Sequence, residues 1–119
     1  MGMTIDTVTT NSSPQALVAF YDDFRHMLKA AGSVESLLDT LYFETQSWLC
    51  SDGMQFVGSN MRHVVGVTAV HQCNYSLFFN QDFLGELTFY RGNPFEADEL
   101  ELIEAILGVA IDPLREVLR

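Results

Sequence analysis

Four side chains in this sequence have the chemistry for a reactive centre: His63, His71 and Cys73 near mid-chain, with Cys50 ahead of them. Zinc takes about four ligands converging at ~2.0–2.3 Å, and two residues on one strand plus a remote histidine fall short of that set. His71 and Cys73 read instead as a partly buried histidine and a small apolar thiol packed among aromatic neighbours. Thiol redox chemistry needs a thiolate and a resolving thiol beside an open pocket. Cys50 falls at the predicted end of a helix, Cys73 on the inward face of a strand, and the two form no CxxC pair. Carboxylates cluster as Asp22-Asp23 and as Glu99, Glu101 and Glu104. Adjacent helix positions do not face each other, so these read as solvated faces. The sequence carries no phosphate-cradling glycine loop, nucleophile elbow or HExxH motif. No catalytic residue, metal site or cofactor is expected.

Binding chemistry is better represented. On a predicted hairpin, Gln72, Asn74, Ser76, Glu86, Thr88 and Tyr90 share one face, and Gln72, Asn74, Ser76, Thr88 and Tyr90 make it the candidate small-molecule surface. An exposed sheet face has the same polar composition with no ligand at all. Nucleic acid and anionic membrane are disfavoured partners. The formal charge is −10, from 16 acidic and 6 basic residues. The cations (Arg25, Lys29, Arg62, Arg91, Arg115 and Arg119) are scattered along the chain.

The elements that must position these groups follow from length and periodicity. The chain has 119 residues and a mass of 13.4 kDa, one domain's worth, with 48% hydrophobic residues. No apolar run approaches the roughly 18–20 residues needed to cross a bilayer, and the polar N-terminus has no signal-peptide pattern. A cytoplasmic location is therefore expected. Residues 1–13 read as a disordered tail, and residues 14–119 as the domain. Ser13-Pro14 starts a helix whose stripe runs from Leu17 to Ala31, and Gly32-Ser33 separates it from a second helix that ends near Ser51. After Gly53 the period falls to 2. Short strands are expected over Met54–Ser59 and Arg62–Val70, and then a hairpin, His71–Phe79 with Phe83–Arg91. A three-residue loop, Asn80 to Asp82, would pair Phe79 with Phe83, Tyr75 with Leu87 and Cys73 with Phe89, placing both apolar sets on one side.

From Pro94 the pattern is helical again. Leu100, Ile103, Leu107, Ala110, Leu114 and Val117 form one stripe, with Leu102, Ile106 and Val109 beside it. So wide an apolar arc calls for two partners, the sheet and either another helix or another subunit, and the expectation is a homodimer through the first and last helices. Asp112-Pro113 reads as a hinge: a kink, or a fresh helix start capped by Asp112. The fold class is thus α+β: an antiparallel sheet of four to five strands, with an N-terminal helical hairpin and a C-terminal helix packed on one face.

This order of elements resembles a GAF domain. His71-Gln72-Cys73-Asn74-Tyr75-Ser76-Leu77 is similar to the H-x-C-x-Y-x-L strand of GAF-like sensors found N-terminal to bacterial diguanylate cyclase (GGDEF) domains. Leu84 to Arg91, Pro94-Phe95 and Asp98-Glu99-Leu100 resemble that family's closing strand and helix. Pro113-Leu114-Arg115 is similar to its exit segment. The resemblance implies a non-catalytic sensory domain that dimerises and signals to a C-terminal output domain, the cyclase, which this chain lacks. Two alternatives stand beside it: a small-molecule receptor with its ligand on the polar hairpin face and, remotely, a cysteine-based methionine sulfoxide reductase of GAF type. Many GAF domains roof their ligand with helices inserted between the middle strands. Here about two residues, Asn60-Met61, separate the first two strands, which speaks against an enclosed site.

Overall fold

A computed structural model describes residues 2–5 and 15–119, with side chains from Tyr21 onward. The elements in order are β1 (Gly2–Ile5), α1 (Gln15–Lys29), α2 (Val34–Leu49), β2 (Gly53–Val57), β3 (Arg62–Gly66), β4 (His71–Phe79), β5 (Asp82–Arg91) and α3 (Ala97–Leu118). The sheet order is β1-β4-β5-β2-β3. Strands β2 to β5 pair antiparallel, and β1 joins parallel to β4 with Met3 opposite Tyr75. The α+β class is as expected, but part of the expected tail is a strand. Residues 2–5 supply backbone partners to what would otherwise be a bare β4 edge. The Ser13-Pro14 helix start lies outside the described residues.

The period-2 alternation sends one side of the sheet to the helices. Met54, Phe56, Tyr75, Leu77, Leu87 and Phe89 are fully buried against Phe24, Leu28, Leu37, Leu41, Ile103, Leu107 and Leu114. Local signals set the helix ends. Ser33 caps α2, its hydroxyl accepting from Ser36 N at 3.1 Å. Cys50 closes the helix in the left-handed region at φ 51°, a conformation more usual for glycine. Gln46 holds this turn: its side chain accepts from Ser51 N and Ser51 Oγ and donates to Ser51 O.

The β4–β5 hairpin departs from the expected three-residue loop. Cys73 pairs with Phe89 and Tyr75 with Leu87 as expected, but Phe78 pairs with Phe83 and Phe79 with Asp82. The turn is thus two residues, Asn80-Gln81, with Asn80 at φ 56°. The register shift between Leu77 and Phe78 leaves Leu84 unopposed, and this bulge reconciles a short turn with apolar residues on the core face. It also sends Phe83 to the outer face, where it is half exposed with its ring centroid 5.3 Å from that of Phe78. Beside the bulge, Gly85 has φ 153°, and a Cβ there would come 2.5 Å from the Phe56 ring.

Helix α3 packs on α1, α2, β1, β4 and β5. Ile103, Leu107, Ala110 and Leu114 are buried within the single chain, as are Ile106 and Val109 of the second stripe. Leu100 and Val117 are half-buried, and Leu102 is exposed. The buried positions of both stripes are therefore covered within the chain by the sheet, α1 and α2, the helices standing where either another helix or another subunit was expected. α3 also runs unbroken through Pro113, so Asp112 does not cap a new helix. Its carboxylate lies 3.6 Å from Lys29 Nζ on α1.

Arg91, at the end of β5, ties three elements together. Its guanidinium forms a fork with Glu99 on α3, at 2.7 and 2.6 Å, and donates to Leu49 O at the end of α2 at 2.8 Å. Further bonds reach Pro94 O and Asn93 O, and the Phe95 ring stacks 4.5 Å away. All the N–H donors of an arginine find use here. Glu99 also accepts from Glu96 N at 2.9 Å, tying the first turn of α3. Bonding to Arg91, more than any other factor, holds the Glu99 carboxyl below its usual range, and the same bond raises Arg91. A depressed carboxylate stabilises the fold above the unfolded-state value of about 4.3, and that contribution is lost as pH falls through the folded-state value. Arg91→Met should cost about 3–5 kcal/mol at pH 7, because it strands the Glu99 charge and the Leu49 and Pro94 carbonyls. In urea melts the gap from wild type should narrow as pH falls below the ordinary glutamate range and through the lowered folded-state value of Glu99. A pH-independent gap would contradict this role.

Candidate functional site

The sheet face opposite the helices collects the predicted binding residues. Gln72 pairs with Tyr90, Asn74 with Thr88 and Ser76 with Glu86, so all five candidates do share one face. Gln55 on β2 lies opposite Thr88 and extends the polar row, and Arg62 on β3 donates to Gln55 Oε1 at 3.2 and 2.8 Å. The donors and acceptors are partly spent on each other. Asn74 Nδ2 donates to Thr88 Oγ1 at 2.7 Å, and Thr88 is 5% exposed on this central strand. Exposed apolar residues flank the polar row: Val57 and Val64 on one side, Phe83 beyond the bulge. This surface offers contact area and a few hydrogen-bonding groups.

The structure separates the residues considered for catalysis. Cys73 is buried on the core face, and burial pushes its thiol up to about 11, away from the reactive thiolate. Cys50 is exposed at the α2 cap, with its Sγ donating to Gln46 O at 3.3 Å. His63 points from β3 to α2, with Nε2 2.8 Å from Asp39 Oδ1. His71 is half-buried at the start of β4. Among the described residues, no group of three or more His, Cys, Asp or Glu is placed to hold a metal ion. Glu99 is engaged by Arg91, while Asp22, Asp23 and Glu101 are exposed. Tyr75 is fully buried with no hydrogen-bond partner for its hydroxyl among the described residues, and burial, its largest perturbation, raises its pKa.

Two clefts lie away from this face. One, of about 490 Å³, sits between the last turn of α3 and the two hairpin turns, lined by Asn60, Met61, Phe83, Leu84, Arg115 and Leu118. Arg115 there stacks 4.3 Å over the Phe79 ring and pairs loosely with Glu116. The other, of about 410 Å³, opens beside Arg91 and Glu99. Sequence reasoning treated Arg91 as one of several scattered cations. The signal available was an arginine ending a strand ahead of Pro94 and an acidic helix start, where a fork-shaped donor meets carboxylates. Among the described residues, no helix is long and apolar enough to cross a membrane.

Native-state alkylation at pH 8 should modify Cys50 and spare Cys73, read by peptide mass mapping; Cys73 reacting first would contradict its placement. Tyr75→Phe removes a buried hydroxyl that has no hydrogen-bond partner among the described residues, so it should leave stability unchanged or raise it by up to about 1 kcal/mol. A clear loss in thermal melts would show that the hydroxyl has a partner. Comparison with known proteins gave no matching family model, no similar curated protein and no similar solved structure.

Proposed function

We propose that the chain is a non-catalytic, GAF-like regulatory module that works as a dimer and biases an output domain joined beyond α3. The observation that carries this reading is the position of α3, which packs on both other helices and on three strands. Its first turn is fixed by Glu99 to the end of β5, and its last turns by Lys29 and by the stacking of Arg115 on Phe79. A shift of the sheet or of α1 therefore moves the C-terminal end of α3. A signal acts by favouring one of two such placements, and its effect is limited by its difference in affinity for them. The candidate reactive groups support the non-catalytic part, since Cys73 is held as a thiol and Glu99 is committed to Arg91. Pro113-Leu114-Arg115 and the strand beginning at His71 supply the resemblance to cyclase-linked sensors, and thereby the class of output.

Helical phase tests the relay. The chain would be fused through α3 to a diguanylate cyclase catalytic domain, with one to four alanines inserted at the joint. Output that rises and falls with the helical repeat of about 3.6 residues supports rigid transmission. Equal output at every insertion length would overturn it.

A further inference from the structure

We propose that β3 is the edge through which two copies of this chain pair, antiparallel about a two-fold axis at Val64. This deepens the reading above by locating its dimer contact, and it rests on that reading.

Strand β3 ends the sheet order, and among the described residues β2 is its neighbour on one side and nothing pairs with the other. The direction of its backbone groups follows from two bonds. Gly58 N donates to Met61 O at 2.9 Å, and Val67 N donates to Asp52 O at 3.0 Å. Both pairs share the β2–β3 register in which Gln55 faces Val64 and Phe56 faces His63. Antiparallel bonding alternates, so Met61, His63, Val65 and Val67 turn their N–H and C=O toward β2. Arg62, Val64 and Gly66 present theirs to the open side. A second β3 centred on Val64 brings these same residues together: Val64 meets Val64, and Arg62 meets Gly66. The edge is complementary to itself, as a two-fold contact requires.

Side chains and charge point the same way. Val64 is 48% exposed on the outer face. Arg62, whose charge would otherwise guard the edge, is drawn back over β2 by its bonds to Gln55. On the helix face, Asp39 of α2 reaches His63, and Phe43 follows one turn later on the same stripe, 68% exposed. Apolar groups thus flank the edge on both sides of the sheet. The chain has a formal charge of −10, so two copies repel least where acids are few, and the acid beside the middle of β3, Asp39, is engaged by His63. Between Asp52 and Asp82 there is no Asp or Glu, and β3 lies in that stretch.

Sedimentation velocity of the full 119-residue chain, from micromolar to high micromolar concentration, tests the inference. Val64→Lys places like charges opposite each other across the axis and should raise the dimer dissociation constant about tenfold or more. Leu102→Lys, on the exposed side of α3, should behave as wild type. Far-UV circular dichroism and melting curves check that both variants fold. Independently, Val64→Cys in a Cys50→Ser background should cross-link under mild oxidation, because bonded antiparallel pairs hold Cα atoms ~5.5 Å apart, within disulfide reach. Val57→Cys, exposed but not on the edge, should not. A wild-type dimer indifferent to Val64→Lys, or lacking the Val64→Cys cross-link, overturns the edge contact and leaves a dimer formed elsewhere. A wild-type monomer at every concentration overturns both the edge and the dimeric reading.

Discussion

The fork between Arg91 and Glu99 fixes where the helices meet the end of the sheet. It joins the last residue of β5 to the first turn of α3, and the same guanidinium takes the carbonyl that ends α2. Burying such a charge is costly unless each donor has an acceptor. Here carbonyls of Leu49, Asn93 and Pro94 complete the set. The consequence is geometric. With one end of the sheet fixed to two helices, the core face closes and α3 must cross β4 and β5. Leu107 and Leu114 are then sealed inside one chain.

The helices close the core face of the sheet. The buried groups that might react are held in unreactive forms, Cys73 by desolvation and Glu99 by its partner. What remains is a sheet face with a polar centre and apolar margins, and a terminal strand with unpaired backbone groups. Charge is segregated along the chain as well. The helices and β5 carry acids, while β2, β3 and β4 lie between Asp52 and Asp82 and carry none. For so acidic a molecule, that stretch is where another copy can approach with least repulsion.

How much could be read from sequence depended on how local the physics was. Alternation along residues 71–79 and 83–91 located the Cys73–Phe89 and Tyr75–Leu87 pairs, because a one-residue slip would expose every apolar side chain. Ser33 was legible as a cap because its bond to Ser36 N is three residues away. The bulge at Leu84 was not, since a bulge answers to the whole ladder; it shortened the turn and moved Phe83 outward. The breadth of the α3 arc was legible, and the sheet as one of its covers, but not whether the other was a helix or a subunit, because periodicity counts apolar faces without saying what covers them. All five polar candidates on the outer face were found together. Arg91 was missed, since its acceptors come from three separate segments, and so was the open edge of β3, which depends on strand order. The strand at Gly2–Ile5 escaped for the same reason.

A sealed monomer that meets its own copy at the outward backbone groups of β3 shields those groups as it pairs, and this pairing can be followed directly. Amide hydrogen exchange, followed residue by residue at rising protein concentration, addresses it most directly. The Val64 and Arg62 amides should gain protection as concentration rises, while those of His63 and Val65, bonded to β2, stay protected throughout. A Val64 amide that exchanges at the unprotected rate at every concentration would contradict it.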